Sequence, residues 1–238
     1  MEGLSATSPV DWPDGWHVRV VDETGSTNAD LLAEAASGAP HRSVLAARHQ
    51  TAGRGRLDRR WEAPPGANLL VSVLFTEVPD HAHELTQRVA LAAVDAAASL
   101  VAADVRLKWP NDLLLDGSKL AGVLAQSTFV DGRRVVVVGI GVNVGWAPPD
   151  AAMLGVGLDP MALLAEMLRA YDRLPTDVWS LYRERLATLG AAVRVQLPAE
   201  TIEGRALDVE RDGRLVVLDT CGITHRFDVG DVVHLRPG

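Results

Sequence analysis

Two rhythms of apolar positions run along this chain. Short runs rich in Val, Leu and Ile, bounded by turn residues, read as strands at residues 17–21, 43–47, 69–75, 105–109, 113–115, 120–126 and 134–144. Apolar residues at helical spacing predict helices over 29–36, with Ser26 or Thr27 as N-cap, and over 84–101, 161–171 and 178–189, with Pro175 breaking the last two apart. The turn signals Pro110-Asn111 and Asp116-Gly117 fold the strands around them into an antiparallel hairpin. After Gly190 the texture changes to five short strand-like pieces, at 193–197, 201–209, 215–219, 225–228 and 232–235, spaced by Asp-Gly and Gly turns. Such a series predicts a small SH3-like barrel. The expected organisation is a polar, proline-containing leader at 1–16 that packs into no core, a main domain at 17–189 and the barrel at 190–238.

Composition narrows what this organisation does. A hydrophobic fraction of 47% with 23% charged residues is that of a globular chain able to bury a core. Neither a secretory leader nor a run of ~18 apolar residues is present, so a cytoplasmic protein away from the membrane is expected. The net charge of −8 argues against broad attraction to nucleic acid and leaves room for a local anion site. Cys221, the single cysteine, excludes an intrachain disulfide and reads as a small hydrophobe in a strand. Lysine occurs only at Lys108 and Lys119, and every other basic side chain is arginine or histidine. A sequence that uses arginine wherever a solvated charge suffices keeps lysine where a compact ammonium is required, because a planar guanidinium differs in size and geometry.

Three stretches carry candidate chemistry. GRGRLDRRW gathers Arg54, Arg56, Arg59 and Arg60 around Gly53 and Gly55 without apolar periodicity, so it reads as a loop. It either holds an anion between guanidinium groups and glycine N–H groups or is a solvated basic loop, and it lacks the Walker A pattern. KWPNDLLLDGSKLAGVL places Lys108, Asn111, Asp112 and Lys119 on the apolar hairpin. A turn at Asp116-Gly117 returns Lys119 beside Leu113 or Leu114 and next to Asp112, whereas Asp112 alternatively neutralises Lys108. GIGVNV lacks the third glycine of a dinucleotide fingerprint, so its glycines mark a bulge or a close approach. Asn143 then either offers its amide to a purine or caps a turn.

The runs GSTN, HQTAGRGRLDRRW, KWPNDLLLDGSKLAGVL and GIGVNV, in this order, closely resemble the biotin protein ligases, strongly over residues 18–144. The resemblance implies an α+β fold, with a mixed, mainly antiparallel sheet of the class II synthetase type, and a two-step reaction. Biotin and ATP give biotinyl-adenylate, and the biotinyl group passes to a lysine of an acyl-CoA carboxylase carrier domain. By matching positions, Ser26, Thr27, Asn28 and Gln50 would hold biotin, and Arg54, Gly55 and Arg56 would order over biotin and its adenylate. Arg59, Trp61, Asn111 and Asn143 would serve the nucleotide, with adenine resting on Trp61. Lys119 would bridge the biotin carboxylate and the α-phosphate, supported by Lys108 and Asp112. Magnesium would arrive with ATP, and Asp112 would hold it or orient the incoming amine. A monomer or weak homodimer with no DNA partner is implied, since no helix-turn-helix domain precedes the motifs. Alternatives are a lipoate or octanoyl transferase of the same fold and a non-catalytic biotin-binding or repressor protein. One departure is Asp58, where the family often has glycine: it restricts the loop, or it pins Arg59 or Arg60.

Overall fold

The structure, a computed structural model, describes residues 10–197, 200–228 and 230–235. Its main sheet is built from β1 (His17–Thr24), β2 (Ser43–Gln50), β3 (Leu69–Phe75), β4 (Val105–Lys108), β5 (Asp112–Leu115), β6 (Ser118–Val130) and β7 (Arg133–Val142). Seven strands lie in the order β1-β2-β3-β7-β6-β5-β4, with β1 and β2 parallel and the other neighbours antiparallel. The fold is α+β, as the motifs implied.

The two-residue period of a strand decides what each sheet face carries. On β7, Val136, Val138, Ile140 and Val142 enter the core shared with α2 (His83–Val101) and α3 (Pro160–Arg173). Val135 and Val137 turn the other way, onto Leu31 and Ala35 of α1 (Thr27–Ala36). Continuing that alternation, Gly139 and Gly141 fall on the α1 face, and so does Ser72 of β3, the strand partner of Gly139. Leu85, Val89, Leu91 and Val94 of α2 are nearly inaccessible to solvent, and each such side chain contributes about 1.5–3 kcal/mol. The helical face therefore makes the α1 face a rigid floor.

The second sheet comprises β8 (Ala192–Gln196), β9 (Thr201–Val209), β10 (Leu215–Asp219), β11 (Thr224–Phe227) and β12 (Asp231–His234), in the order β11-β10-β9-β8-β12, all antiparallel. It is the SH3-like unit that the turn spacing predicts. The expected boundary near Leu189 falls in the connection between α4 (Trp179–Arg185) and β8. The two parts are pinned together by Trp109 Nε1 donating to Gly213 O (2.9 Å) and by Arg183 with Asp208 (2.7 Å).

Several expectations are corrected. Residues 1–9 lie outside the described chain, but Val10 and Trp12 pack on the core and Trp16 is buried. The Trp16 indole meets Tyr171 edge-on and donates to Asp172 (2.8 Å), so apolar surface outweighs the polar look of this leader. Helix α4 stops at Arg185 because the next residues pair with the open edge of β4, where Ala187 N–H donates to Leu107 O (2.8 Å). Cys221 lies exposed in the turn between β10 and β11, not in a strand.

Candidate active site

A pocket of about 280 Å³ opens on the α1 face over β3, β7 and β6. The ends of β1 and β2 are tied by Thr51 N–H to Thr24 O (2.9 Å) and Ala52 N–H to Gly25 O (2.8 Å), which brings the start of α1 beside Gln50. Ser26 is the N-cap by position, yet its side chain makes no cap bond, so the hydroxyl stays available at the pocket wall. Thr27 donates its backbone N–H to Gln50 Oε1 (2.8 Å), and Asn28 donates to Leu124 O (3.1 Å) and Gln126 Oε1 (2.9 Å). This end of the pocket is a closed set of neutral polar groups in which each buried amide has partners.

Glycines in β6 and β7 make room for what lies above them. A Cβ at Gly139 would overlap the Asn28 carboxamide, and one at Gly141 would overlap the Trp61 indole. Gly122, the strand partner of Gly141, lies under the same ring, where a Cβ would sit 3.3 Å from Trp61 Cζ3. The close approach read from GIGVNV is therefore made by side chains of this chain, Asn28 and Trp61. The Trp61 Nε1–H is buried and has no hydrogen-bond partner among the described residues, and Trp61 lines the pocket.

The arginine stretch is more ordered than a plain loop. Arg54 and Arg60 form an antiparallel bridge, Gly55 N–H donates to Arg59 O (2.7 Å), Trp61 N–H donates to Gly53 O (3.0 Å), and Arg56–Asp58 form a 3-10 turn at the tip. Glycine at 53 allows this close return beside the pocket, since a Cβ there would overlap Trp61 O. Arg56 donates to Asn111 Oδ1 (3.1 Å) and Gly230 O (3.3 Å), and burial lowers its pKa from the usual arginine value, opposed by Asp231 and Asp112. Arg59 is paired with Asp231 of β12 and Arg60 with Glu62. Arg54 is exposed at the mouth and forms no ion pair among the described residues. Leu57 and Asp58 both have φ of 55°, in the left-handed region that glycine occupies freely. Asp58 pins neither Arg59 nor Arg60, since both have other partners.

Lys119 stands where the polar end meets the arginine hairpin. Its register partner is Leu114, next to a bulge at Leu120 of β6, which is the return predicted for a turn at Asp116-Gly117. Its ammonium lies 2.6 Å from Asp112 Oδ1, an ion pair within the pocket. The ammonium is also 5.8 Å from the Trp61 ring centre. Asp112 thus pairs with Lys119 and not with Lys108.

The remaining predicted residues divide. Ser26, Thr27, Asn28, Gln50, Arg54, Gly55, Arg56, Arg59, Trp61, Asn111, Asp112, Lys119 and Asn143 all line this pocket. Lys108 does not; it is the register partner of Asp112 across β4 and β5 and shares its face, but it lies one strand farther out and lines a second, more open groove of about 580 Å³ beside the arginine hairpin. Asn143 reaches the wall with its carboxamide engaged at both ends, accepting from Asn68 (3.2 Å) and donating to Ala152 O (3.0 Å). The bracing of a turn is what this geometry builds. The sequence reading missed Ser72 and Asn68, polar residues buried within or beside an apolar strand, and that placement is the signal that finds them.

Comparison with known proteins matches residues 20–143 to the Biotin/lipoate A/B protein ligase family and residues 188–235 to the Biotin protein ligase C terminal domain. Biotin--[acetyl-CoA-carboxylase] ligase of Mycobacterium tuberculosis is 43% identical, over 93% of this chain and 91% of that protein. The bifunctional ligase/repressor of Bacillus subtilis is 27% identical over 88% of this chain and 71% of its own length. A biotin protein ligase from Aquifex aeolicus, solved with biotin and ATP, superposes with a TM-score of 0.76 over 93% of this chain and 99% of that one; at 23% identity it speaks to the fold alone. A family match across residues 20–143, with a 43% identical relative spanning nearly the whole chain, means that this protein belongs to the biotin/lipoate A/B protein ligase family.

Proposed function

We propose that this chain is a biotin protein ligase, which makes biotinyl-adenylate from biotin and ATP and passes the biotinyl group to a lysine of a carrier domain of an acyl-CoA carboxylase. The observation that carries the reading is one pocket with a neutral polar end, an arginine hairpin at its mouth and an ammonium between them. The ureido ring of biotin offers N–H donors and a carbonyl acceptor, which match the Ser26, Thr27 and Gln50 side. A lipoyl dithiolane offers neither, and would leave those polar groups unpaired at a cost. The close M. tuberculosis relative, named for acetyl-CoA-carboxylase, supports the choice of carrier.

In the first step a carboxylate oxygen of biotin attacks the α-phosphorus, and the bond to the pyrophosphate oxygen breaks. Two anions meet, so the Lys119 ammonium leaves Asp112 for the carboxylate and the phosphoryl oxygens, while Arg54 and Arg56 face the departing charge. Trp61 provides the face for adenine, and Asn111 holds Arg56 over the site. In the second step the carrier amine attacks the acyl carbon and AMP leaves with the bonding electrons. Asp112, released from Lys119, takes up or orients the amine proton.

Magnesium accompanies ATP. As the alternative to its role toward the amine, Asp112, the carboxylate in the pocket beside Lys119, would hold it once the ammonium has turned to the ligand, and the ion would supply charge neutralisation on the triphosphate. No cluster of three or more His, Cys, Asp or Glu suited to a metal exists among the described residues, so its other ligands would be phosphate and water.

The test is incubation with labelled biotin, ATP and a carrier domain. Label on the carrier lysine, and free labelled adenylate when the carrier is omitted, support the reading. Absence of both in folded protein contradicts it.

A further inference from the structure

Ser72 belongs to none of the four motifs, yet it is wholly buried in the middle of β3 under the polar end of the pocket. Its Oγ lies 2.5 Å from Asn28 Oδ1 and 2.7 Å from Thr27 Oγ1. The Asn28 carboxamide has a fixed sense, because its Nδ2 donates to Leu124 O and Gln126 Oε1. Oδ1 is therefore an acceptor, and the single Ser72 proton goes to it. Ser72 then has only lone pairs to offer, so the 2.7 Å contact is a hydrogen bond only when Thr27 gives up its own single proton. The competing acceptor, Gln50 Oε1, is farther from that hydroxyl, at 3.1 Å, and already receives the Thr27 N–H.

We propose that Ser72 is a specificity-determining positioning residue: it draws the Thr27 proton into a chain running Thr27 to Ser72 to Asn28 to Gln126, and so makes the Thr27 hydroxyl an obligate acceptor toward the pocket. The inference rests on the reading of this pocket end as the seat of the biotin ureido ring. A ring N–H finds a lone pair there that no competing proton occupies. An acyl acid whose ring lacks N–H groups leaves that lone pair unmatched. Proton order, and not only shape, then selects a cyclic urea.

Calorimetric titration of biotin, lipoate and ATP separately into the full chain tests this in a cycle of Ser72→Ala, Thr27→Val and the double variant. Ser72→Ala is expected to weaken biotin about ten- to a hundredfold, with ATP affinity within about twofold, and to narrow the preference for biotin over lipoate. In the Thr27→Val background the same change is expected to add less than about twofold, because its action passes through the hydroxyl already removed. Ser72→Cys, which keeps the size with a weaker donor, is expected to fall between parent and alanine and serves if Ser72→Ala does not fold. In turnover, the loss is expected in KM for biotin and not in kcat for adenylation. Equal losses in both backgrounds, or parental biotin affinity in Ser72→Ala, would overturn the inference while leaving biotin binding by the parent intact. Failure of the parent itself to bind biotin would instead sink the reading beneath it.

Discussion

Replacing Gly141 by alanine tests how the nucleotide face is built. The new Cβ would come within 2.9 Å of Trp61 Cζ2 and nearer still to Cε2 and Nε1. The backbone of β7 has no room to retreat, because Gly141 is held between Leu70 of β3 and Gly122 of β6. The indole must move, and inserting one methyl into a packed site costs about 1–3 kcal/mol. A base loses a comparable amount, about 1–3 kcal/mol, when its aromatic platform is removed. With 1.4 kcal/mol to each factor of ten, the KM for ATP is expected to rise about ten- to a hundredfold. Pyrophosphate release at saturating biotin measures it, and calorimetry without ATP should find biotin affinity within about threefold of the parent. Trp61→Ala should carry a similar loss, and the double variant no more than either single change. An unchanged KM in Gly141→Ala, or losses that multiply in the double variant, would refute the idea that this glycine exists to seat the indole.

Asp58→Gly relieves a left-handed backbone cost of about 1–2 kcal/mol against about 0.4–1 kcal/mol of added unfolded-state freedom, so adenylate release should slow severalfold; an unchanged release rate in stopped-flow experiments would remove Asp58 from the account. Arg56→Gly removes the contacts to Asn111 and Gly230 and is expected to form adenylate that escapes, seen as free labelled adenylate and biotinylation of unrelated lysines; adenylate retained as in the parent would contradict this. Burial lowers the pKa of His41, His83 and His234 from 6.5, and His41 Nδ1 accepts from Thr76 N–H (3.2 Å) and Glu77 N–H (3.4 Å). The unfolded chain then binds more protons, so stability is full above the unfolded value and falls as pH drops through it. Melting temperature should decline between about pH 7.5 and 5.5, less steeply in His41→Gln; an equal slope in both would exclude His41 as a contributor.

What the sequence made legible was local. The apolar period located every strand of both sheets, and the Asp116-Gly117 turn alone was enough to bring Lys119 to Asp112, because a hairpin's register follows from its turn. Lys108 defeated the same logic: it is the register partner of Asp112 and shares its face, but its strand β4 is the edge of the sheet, one strand farther from Lys119, and spacing along the chain does not specify that strand order. The glycines of β7 were readable as a close approach, but their occupants, Asn28 and Trp61, come from distant segments that only the sheet order brings together. Ser72 was hidden by its surroundings: in LLVSVLF it passes for a tolerated polar residue, and its neighbours Thr27 and Asn28 are supplied by α1. Trp16 shows the reverse, an apolar residue in a polar leader whose partner Tyr171 lies far along the chain.

The central claim is that the Lys119 ammonium, with the arginine hairpin, neutralises the charge that builds as a carboxylate displaces pyrophosphate. Single-turnover formation of labelled biotinyl-adenylate by Lys119→Ala measures this directly, with a matching melting curve to show an intact fold. The account predicts a rate lowered by about 10²–10³ or more, the cost of removing one preorganised donor. Adenylate formed at close to the parental rate would contradict it.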